Sequence, residues 1–115
     1  MPYPIVFFDV AGSDTEALKT FYAEVFGWSP GIQGQLSVPV VTPLAGTIRN
    51  DPAEMRIYIG VPDVAKSLEH VLAHGGSIDQ PRFEVPGVVV LGLFRDPAGN
   101  PLGLVEMAGD SPKIP

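Results

Sequence analysis

The feature of this sequence that most constrains its fold is a pattern of apolar strand, helix and glycine that occurs twice, 49 residues apart. Asp14 and Gly27 bound the first predicted helix, and Asp63 and Gly76 bound the second. Aspartate is favoured immediately before the first turn of a helix, and glycine is favoured in the left-handed turn that ends one. Two pairs of matched helix ends at one spacing indicate an internal duplication.

Each predicted helix follows an apolar strand and precedes further short strands. The first helix is predicted over residues 14–26, with Ser13 and Glu16 as a capping box and apolar residues at helical spacing. The sequence Asp-Pro-Ala-Gly-Asn at 96–100 predicts a turn that joins the last two strands as a hairpin. The strands are expected at residues 5–10, 35–41, 46–49, 56–61, 77–78, 88–94 and 102–107.

This order predicts an α+β fold of two βαβββ modules, which form a curved, U-shaped mixed sheet with the helices on its outer face. The first module spans about residues 4–50 and the second about residues 55–108. Together they make a single domain of residues 1–108. Residues 109–115 are polar and rich in proline, so we expect a loose C-terminal tail.

The composition disfavours several classes of function. The formal net charge is −6 and no run of lysine or arginine forms a basic patch, so nucleic-acid binding is not expected. Cysteine is absent, which removes disulfides and thiolate chemistry. The apolar runs are too short to cross a bilayer and no signal peptide is visible, so we expect a cytoplasmic protein without a membrane partner.

Three stretches carry a resemblance to a known family. The first is the strand at 7–10 followed by FYAEVFGW at 21–28. The second is YIGVPDV at 58–64, and the third is DPAGNPLGLVE at 96–106. Together, in this order and spacing, they resemble the vicinal oxygen chelate superfamily, which includes glyoxalase I, bleomycin-resistance proteins and extradiol dioxygenases. The resemblance implies a U-shaped sheet around a cup, which is the concave space that often holds a divalent metal in that family.

The resemblance also implies where metal ligands would lie, namely on the first and fourth strands of each module. These positions fall on Phe7, on its counterpart Arg56, on Glu106, and within residues 46–49, where no histidine or carboxylate occurs. One carboxylate cannot hold a catalytic divalent ion, because such sites need about three protein ligands. We therefore expect neither a metal nor another cofactor.

Strand alternation sorts the side chains that would line the cup. If Arg56 faces the cup, the intervening apolar residues of its strand pack under the second helix. We hypothesise that Arg56 pairs with Glu106 where a metal would have been, leaving a guanidinium able to bind a carboxylate. The alternative is that the two residues only neutralise each other and close a small cavity. The predicted ligand-binding residues are Phe7, Asp9, Arg56, Tyr58 and Glu106.

Two functions remain open, together with the possibility of a collapsed cup that serves only as an interface. The first is a homodimer that binds a small organic molecule, as implied by the resemblance to metal-free bleomycin-resistance proteins. The second is a metal-dependent lyase or dioxygenase, for which Asp51 and Glu54 remain as further carboxylates. His70 and His74 are four residues apart on the second helix, but we expect both on its exposed side.

Overall fold

The computed structural model describes residues 5–29, 31 and 35–115. Within these residues the chain forms two helices, neither of them long and apolar enough to cross a membrane. The helices are α1 (Thr15–Phe26) and α2 (Val64–Ala73). The strands are β1 (Ile57–Val61), β2 (Ser77–Val85), β3 (Val89–Arg95), β4 (Pro101–Ala108) and β5 (Ser111–Pro112).

The two helices begin in the same way, which supports the duplication. The side chain of Asp14 accepts a hydrogen bond from the backbone of Ala17 at 3.0 Å, and that of Asp63 accepts one from Lys66 at 3.0 Å. The predicted capping box at Ser13 is therefore wrong by one residue. Gly27 ends α1 in the left-handed conformation, with φ of 72°, as predicted.

The strands form one mixed sheet in the order β1-β4-β3-β2, and β5 pairs with the end of β4. Strand β1 runs parallel to β4, and the other pairs are antiparallel. Helix α1 reaches the sheet through Phe21 and Phe26, whose rings both contact Phe94 of β3. Helix α2 packs on the same side of the sheet, where Val64 and Leu68 lie over β3. The predicted α+β class, with a mixed sheet and helices on one face, is confirmed.

Close contact between α2 and the sheet depends on Gly92 in the middle of β3. A Cβ atom at this position would lie 2.7 Å from Cγ1 of Val64 and 3.1 Å from Cδ1 of Leu68. The helix therefore packs directly on the backbone of β3, which only glycine permits. The largest fully buried side chains in this layer are those of Phe21, Phe94, Leu104, Val64, Val71 and Val90.

The first half of the chain contributes a helix but none of the predicted strands. Residues 5–10, 35–41 and 46–49 all lie within the described part of the chain, and no strand is assigned to them. The alternation predicted for the first run is present, since Phe8 and Val10 are half-buried while Phe7 is exposed. No strand of the described residues pairs with these runs, and an extended run without a paired neighbour does not become part of a sheet.

The C-terminal tail is not loose, contrary to prediction. Strand β5 pairs with the end of β4, where Met107 lies opposite Pro112. The backbone N–H of Lys113 donates to the carbonyl of Glu106 at 2.9 Å, and that of Gly87 donates to the carbonyl of Pro115 at 3.1 Å. The tail therefore folds back along the sheet, because it supplies partners for backbone groups of β4 and of the β2–β3 turn.

A buried carboxylate joins the two halves of the chain. The side chain of Asp96 is at the predicted turn after β3, and the residue is only 3% exposed. It accepts hydrogen bonds from the hydroxyl of Tyr22 in α1 at 2.8 Å and from the backbone N–H groups of Ala98 and Asn100. Burial, together with the adjacent Asp96, raises the pKa of Tyr22 above its usual range. We call this link between Tyr22 and Asp96 the joint. Asn100 adds a second link nearby, because its side-chain amide donates to the carbonyl of Ala11 at 2.9 Å.

Candidate functional site

The face of the sheet opposite the helices is the counterpart of the predicted cup, and we call it the open face. Side chains alternate along a strand, so the neighbours of the helix-facing residues Val61, Phe94 and Leu104 point to this side. Its residues are Tyr58 and Gly60 of β1, Leu91 and Leu93 of β3, and Gly103, Val105 and Met107 of β4.

Two side chains lie flat on the open face because glycines lie beneath them. A Cβ atom at Gly103 would be 2.3 Å from Cδ2 of Tyr58, so the tyrosine ring rests directly on the backbone of β4. A Cβ atom at Gly60 would be 2.9 Å from Sδ of Met107, which covers β1 in the same way. Tyr58 is 44% exposed, so the ring presents an aromatic surface to solvent.

Arg56 directly precedes β1 and lies at one end of the open face, two residues from Tyr58 and therefore on the same side. Its side chain is only 6% exposed. One terminal nitrogen, Nη1, donates to the carbonyl of Leu102 at 2.7 Å, which fixes the guanidinium against β4. Nε and Nη2 donate to the two carboxylate oxygens of Glu54 at 3.2 and 3.3 Å. This is the bidentate arrangement in which arginine holds a carboxylate most firmly.

Further charges surround this pair. Nη2 of Arg56 is 3.7 Å from Asp79, whose carboxylate also binds Arg95 at 3.1 Å. Arg49 also donates to Oε2 of Glu54. Arg56 first, and then Arg49, lower the pKa of the Glu54 carboxyl. We call Glu54, Arg56, Asp79 and Arg95 the charged end of the open face.

Glu106 does not belong to the open face, which corrects the hypothesis of an Arg56–Glu106 pair. In the parallel register of β1 and β4, Glu106 lies opposite Val61 and shares the helix-facing side with Leu104. Arg56 therefore pairs with Glu54 instead. The alternative, that the two residues merely neutralise each other, is wrong for the same reason.

The partners of Glu106 are a helix end and two cations. The residue is 6% exposed and accepts a hydrogen bond from the backbone N–H of Val64, the first residue of α2, at 3.0 Å. Arg82 of β2 donates to both of its oxygens, at 3.2 and 2.9 Å, and Lys113 of the tail lies 3.5 Å away. The hydrogen bonds from Arg82 and Val64 lower the pKa of Glu106 to about 2. Its oxygens are thus fully used in holding α2 and the tail.

Phe7 and Asp9, the other two predicted ligand-binding residues, lie in the unpaired N-terminal segment. Both are exposed, Phe7 by 75%. Within the described residues, no hydrogen bond or ion pair joins Asp9 to Arg56 or Tyr58. Of the five predicted residues, the structure therefore places Arg56 and Tyr58 on the open face, and Glu106 on the opposite one.

The described residues do not fit a divalent metal. Throughout 5–29, 31 and 35–115, no three histidine, cysteine or carboxylate side chains lie close enough together to hold an ion. Asp51 and Glu54, the extra carboxylates, are both bound by Arg49. The ring of His74 contacts the carbonyl of His70 through Nδ1 at 2.8 Å, and both histidines are exposed as predicted. The metal chemistry implied by the resemblance therefore has no donor set among these residues.

Two pockets lie on the helix side of the sheet. One is an open groove of about 460 Å³ between the start of α1 and the end of α2. The other, of about 170 Å³, is lined mainly by apolar residues, together with Thr15 and Lys19, where the ring of Tyr22 stacks on Trp28 at 5.3 Å. Their remaining lining residues include Asp14, Thr20 and His74 in the groove, and Val10, Leu18 and Leu36 in the smaller pocket.

The chain matches a model of a known protein family. A family model described as "Glyoxalase-like domain" matches residues 5–105. Two curated relatives named "Putative glyoxylase CFP32", from Mycobacterium bovis and Mycobacterium tuberculosis, are 29% identical to this chain over 111 residues. The match covers 84% of this chain but 42% of each relative, so the chain spans less than half of their length.

Solved structures have a similar fold. A glyoxalase-related enzyme from Fulvimarina pelagi is similar with a TM-score of 0.62 and 23% identity, over 89% of this chain and 90% of that one. A glyoxalase/bleomycin resistance protein/dioxygenase family enzyme from Burkholderia phytofirmans PsJN has a TM-score of 0.65 and 16% identity, over 83% and 91%. At these identities the likeness concerns the fold alone.

Proposed function

Because the chain belongs to the family of glyoxalase-like domains, we propose that it binds a small organic molecule on the open face, without a metal ion. The observation that carries this proposal is the exposed aromatic ring of Tyr58, two residues after the buried guanidinium of Arg56 and on the same face of the sheet. An apolar floor with a few fixed polar groups at one end is the usual composition of a small-molecule site.

The proposed site uses four of the five residues predicted from the sequence. Tyr58 contributes from β1, and Arg56 contributes from the position directly before that strand. Phe7 and Asp9 contribute from the N-terminal segment, and the resemblance implies grooves that the two chains of a dimer form together. Glu106 has no part in it, because its carboxylate is buried on the helix-facing side.

We further propose that the chain forms a homodimer through its N-terminal half. Ile5, Val6, Phe7 and Ile48 are 75% or more exposed, which is costly for large apolar side chains in water. The curated relatives, which are more than twice as long as the matched region, have room for a second domain of this size. A second copy of the chain would cover these exposed side chains. Sedimentation at several protein concentrations tests the proposed homodimer. The Phe7→Asp variant should weaken association, because it places a charge on the apolar surface. A chain that stays monomeric at about 100 μM would contradict the homodimer.

A second candidate is a glyoxalase-type lyase, which the name of the curated relatives favours. Such a reaction in the vicinal oxygen chelate superfamily relies on a bound divalent ion. The described residues bring no donor set together for one, so we rank this candidate second. The cytoplasmic location predicted from the sequence stays a prediction.

A thermal-shift screen of metal-free protein tests the proposed function. We expect small aromatic compounds to raise the unfolding temperature without added metal, because a ligand that binds only the folded state stabilises it. The same compounds should shift the amide NMR signals of Tyr58, Gly60 and Gly103. Tyr58→Ala should weaken binding, while Leu72→Ala, which removes an exposed side chain on the helix side, should not. Stabilisation by divalent metal alone, with no effect of any organic compound, would contradict the proposal.

A further inference from the structure

Building on the proposed function, we infer that the molecule bound on the open face carries a carboxylate, that Arg56 binds this carboxylate, and that Glu54 occupies the same position in the ligand-free protein. Glu54 then acts as an internal competitor. Two separate observations carry the inference, one concerning the geometry of the guanidinium and the other concerning the balance of charge around it.

The guanidinium of Arg56 is held in place independently of Glu54. Its Nη1 donates to the carbonyl of Leu102, a backbone atom of β4, so the group keeps its orientation when Glu54 moves away. The pair of donors that Glu54 uses, Nε and Nη2, points toward a carboxylate in the plane of the guanidinium. An arginine fixed in this way is prepared for bidentate binding before any ligand arrives.

Glu54, in contrast, is held mainly by the arginines that it binds. It lies outside every helix and strand, and residues 39–55 are exposed throughout. Its side chain is 25% exposed, and its hydrogen bonds run to Arg49 and Arg56. Moving it breaks no secondary structure, whereas moving Arg56 would free a buried carbonyl of β4.

The charges explain why a carboxylate is the expected ligand. When Glu54 leaves, Asp79 at 3.7 Å is the only carboxylate that Arg56 retains among the described residues, and Asp79 is shared with Arg95. This guanidinium is only 6% exposed with Glu54 in place, and with one distant, shared carboxylate left it would be best compensated by a second anion. Asp79 and the overall charge of −6 disfavour a doubly charged group such as a phosphate monoester. A single carboxylate on an apolar body matches both the charged end and the aromatic floor.

Phenylpropionate and its uncharged amide, phenylpropanamide, test the inference, because they share an apolar body and differ in the carboxylate. Their affinities are measured by NMR titration of the wild-type chain and of three variants. Glu54→Gln removes the competitor. Asp51→Asn is the matched control, because it removes one negative charge from the same segment. Asp51 pairs with Arg49 and not with Arg56. Arg56→Lys keeps the positive charge and removes the planar pair of donors.

We expect the wild-type chain to prefer the acid to the amide, and Glu54→Gln to bind the acid about two- to fivefold more tightly, the effect of one partly exposed ion pair. The affinity for the amide should stay the same. Asp51→Asn should change neither affinity, and Arg56→Lys should remove most of the preference for the acid.

Three results would overturn the inference. They are equal binding of acid and amide, an equal gain for Asp51→Asn and Glu54→Gln, and an undiminished preference in Arg56→Lys. Each of them leaves the proposed function intact, since an uncharged compound can still bind over Tyr58. The proposed function fails on a different result. It fails when no organic compound raises the unfolding temperature or shifts the amide NMR signals of the open face.

Discussion

Replacing Glu106 by glutamine removes a negative charge that three groups hold in place, and it should reveal how much this charge stabilises the fold. The pKa of Glu106 falls from an ordinary 4.5 to about 2. A pKa that is lower by roughly 2.5, at about 1.4 kcal/mol for each pH unit, sets an upper limit of about 3.5 kcal/mol. Since the side chains of Arg82 and Lys113 are 31% and 48% exposed, solvent screening reduces this to about 2 kcal/mol.

The sign of the pH dependence follows from the direction of the shift. A carboxyl whose pKa is lower in the folded state contributes its full stabilisation above the unfolded pKa of about 4.5, and this contribution disappears as the pH falls toward 2. The free energy of unfolding from urea titrations should therefore be about 2 kcal/mol lower for Glu106→Gln at pH 7. The difference should shrink steadily between pH 5 and pH 2.

Glu84→Gln is the control for this experiment. Glu84 also binds Arg82, but its side chain is 50% exposed, so its removal should cost less than about 0.5 kcal/mol at any pH. A loss for Glu106→Gln that does not depend on pH would refute the electrostatic reasoning. It would mean that the carboxylate matters only by its shape and packing.

Three further predictions concern stability, each measured by urea unfolding. Tyr22→Phe leaves the buried Asp96 without one of its donors and should cost about 1–3 kcal/mol, whereas Tyr58→Phe, on an exposed ring, should be nearly neutral. Gly92→Ala forces α2 away from β3 and should cost about 1–3 kcal/mol, and Gly46→Ala, where an added methyl meets open space, should cost little. Deleting the chain from β5 onward should lower the free energy of unfolding by about 1 kcal/mol, because it removes the pairing of β5 with β4 and the cation of Lys113 near Glu106. An unchanged stability would show that the tail is not held to the sheet.

The helices could be predicted from the sequence because their ends are determined locally. The carboxylates of Asp14 and Asp63 each bond a backbone N–H three residues away, and the left-handed turn at Gly27 requires only that residue and its neighbours. The hairpin turn that begins at Asp96 is local in the same sense. Such signals lie within a few residues of the structure that they specify.

The placement of Glu106 could not be predicted, because it depends on contacts between distant segments. Counting alternate residues shows which side chains of one strand share a face. The register between β1 and β4 decides whether a given residue of β4 lies on the same face as Arg56 or on the opposite one. Its partner Arg82 was missed for a related reason. The polar residues and the proline within β2 suggested only a two-residue strand at 77–78, whereas the strand extends to Val85.

The first half of the chain shows the limit of local patterns most clearly. Residues 5–10 have the apolar alternation of a strand, and their side chains are sorted as in a strand. Whether they join a sheet depends on a backbone partner that the sequence of these residues does not contain. In the proposed homodimer, a second copy of the chain would supply the backbone partner for residues 5–10.

The joint between Tyr22 and Asp96 has a consequence for the dynamics of the chain. Its two residues are 74 positions apart, so the bond closes most of the polypeptide into one ring. The amides of Ala98 and Asn100 donate to the same carboxylate, although they lie in a loop. Hydrogen exchange at these two loop amides should therefore be as slow as in the central strands, since it requires release of α1 from the hairpin. A turn that would ordinarily fray should instead open only when the entire domain unfolds.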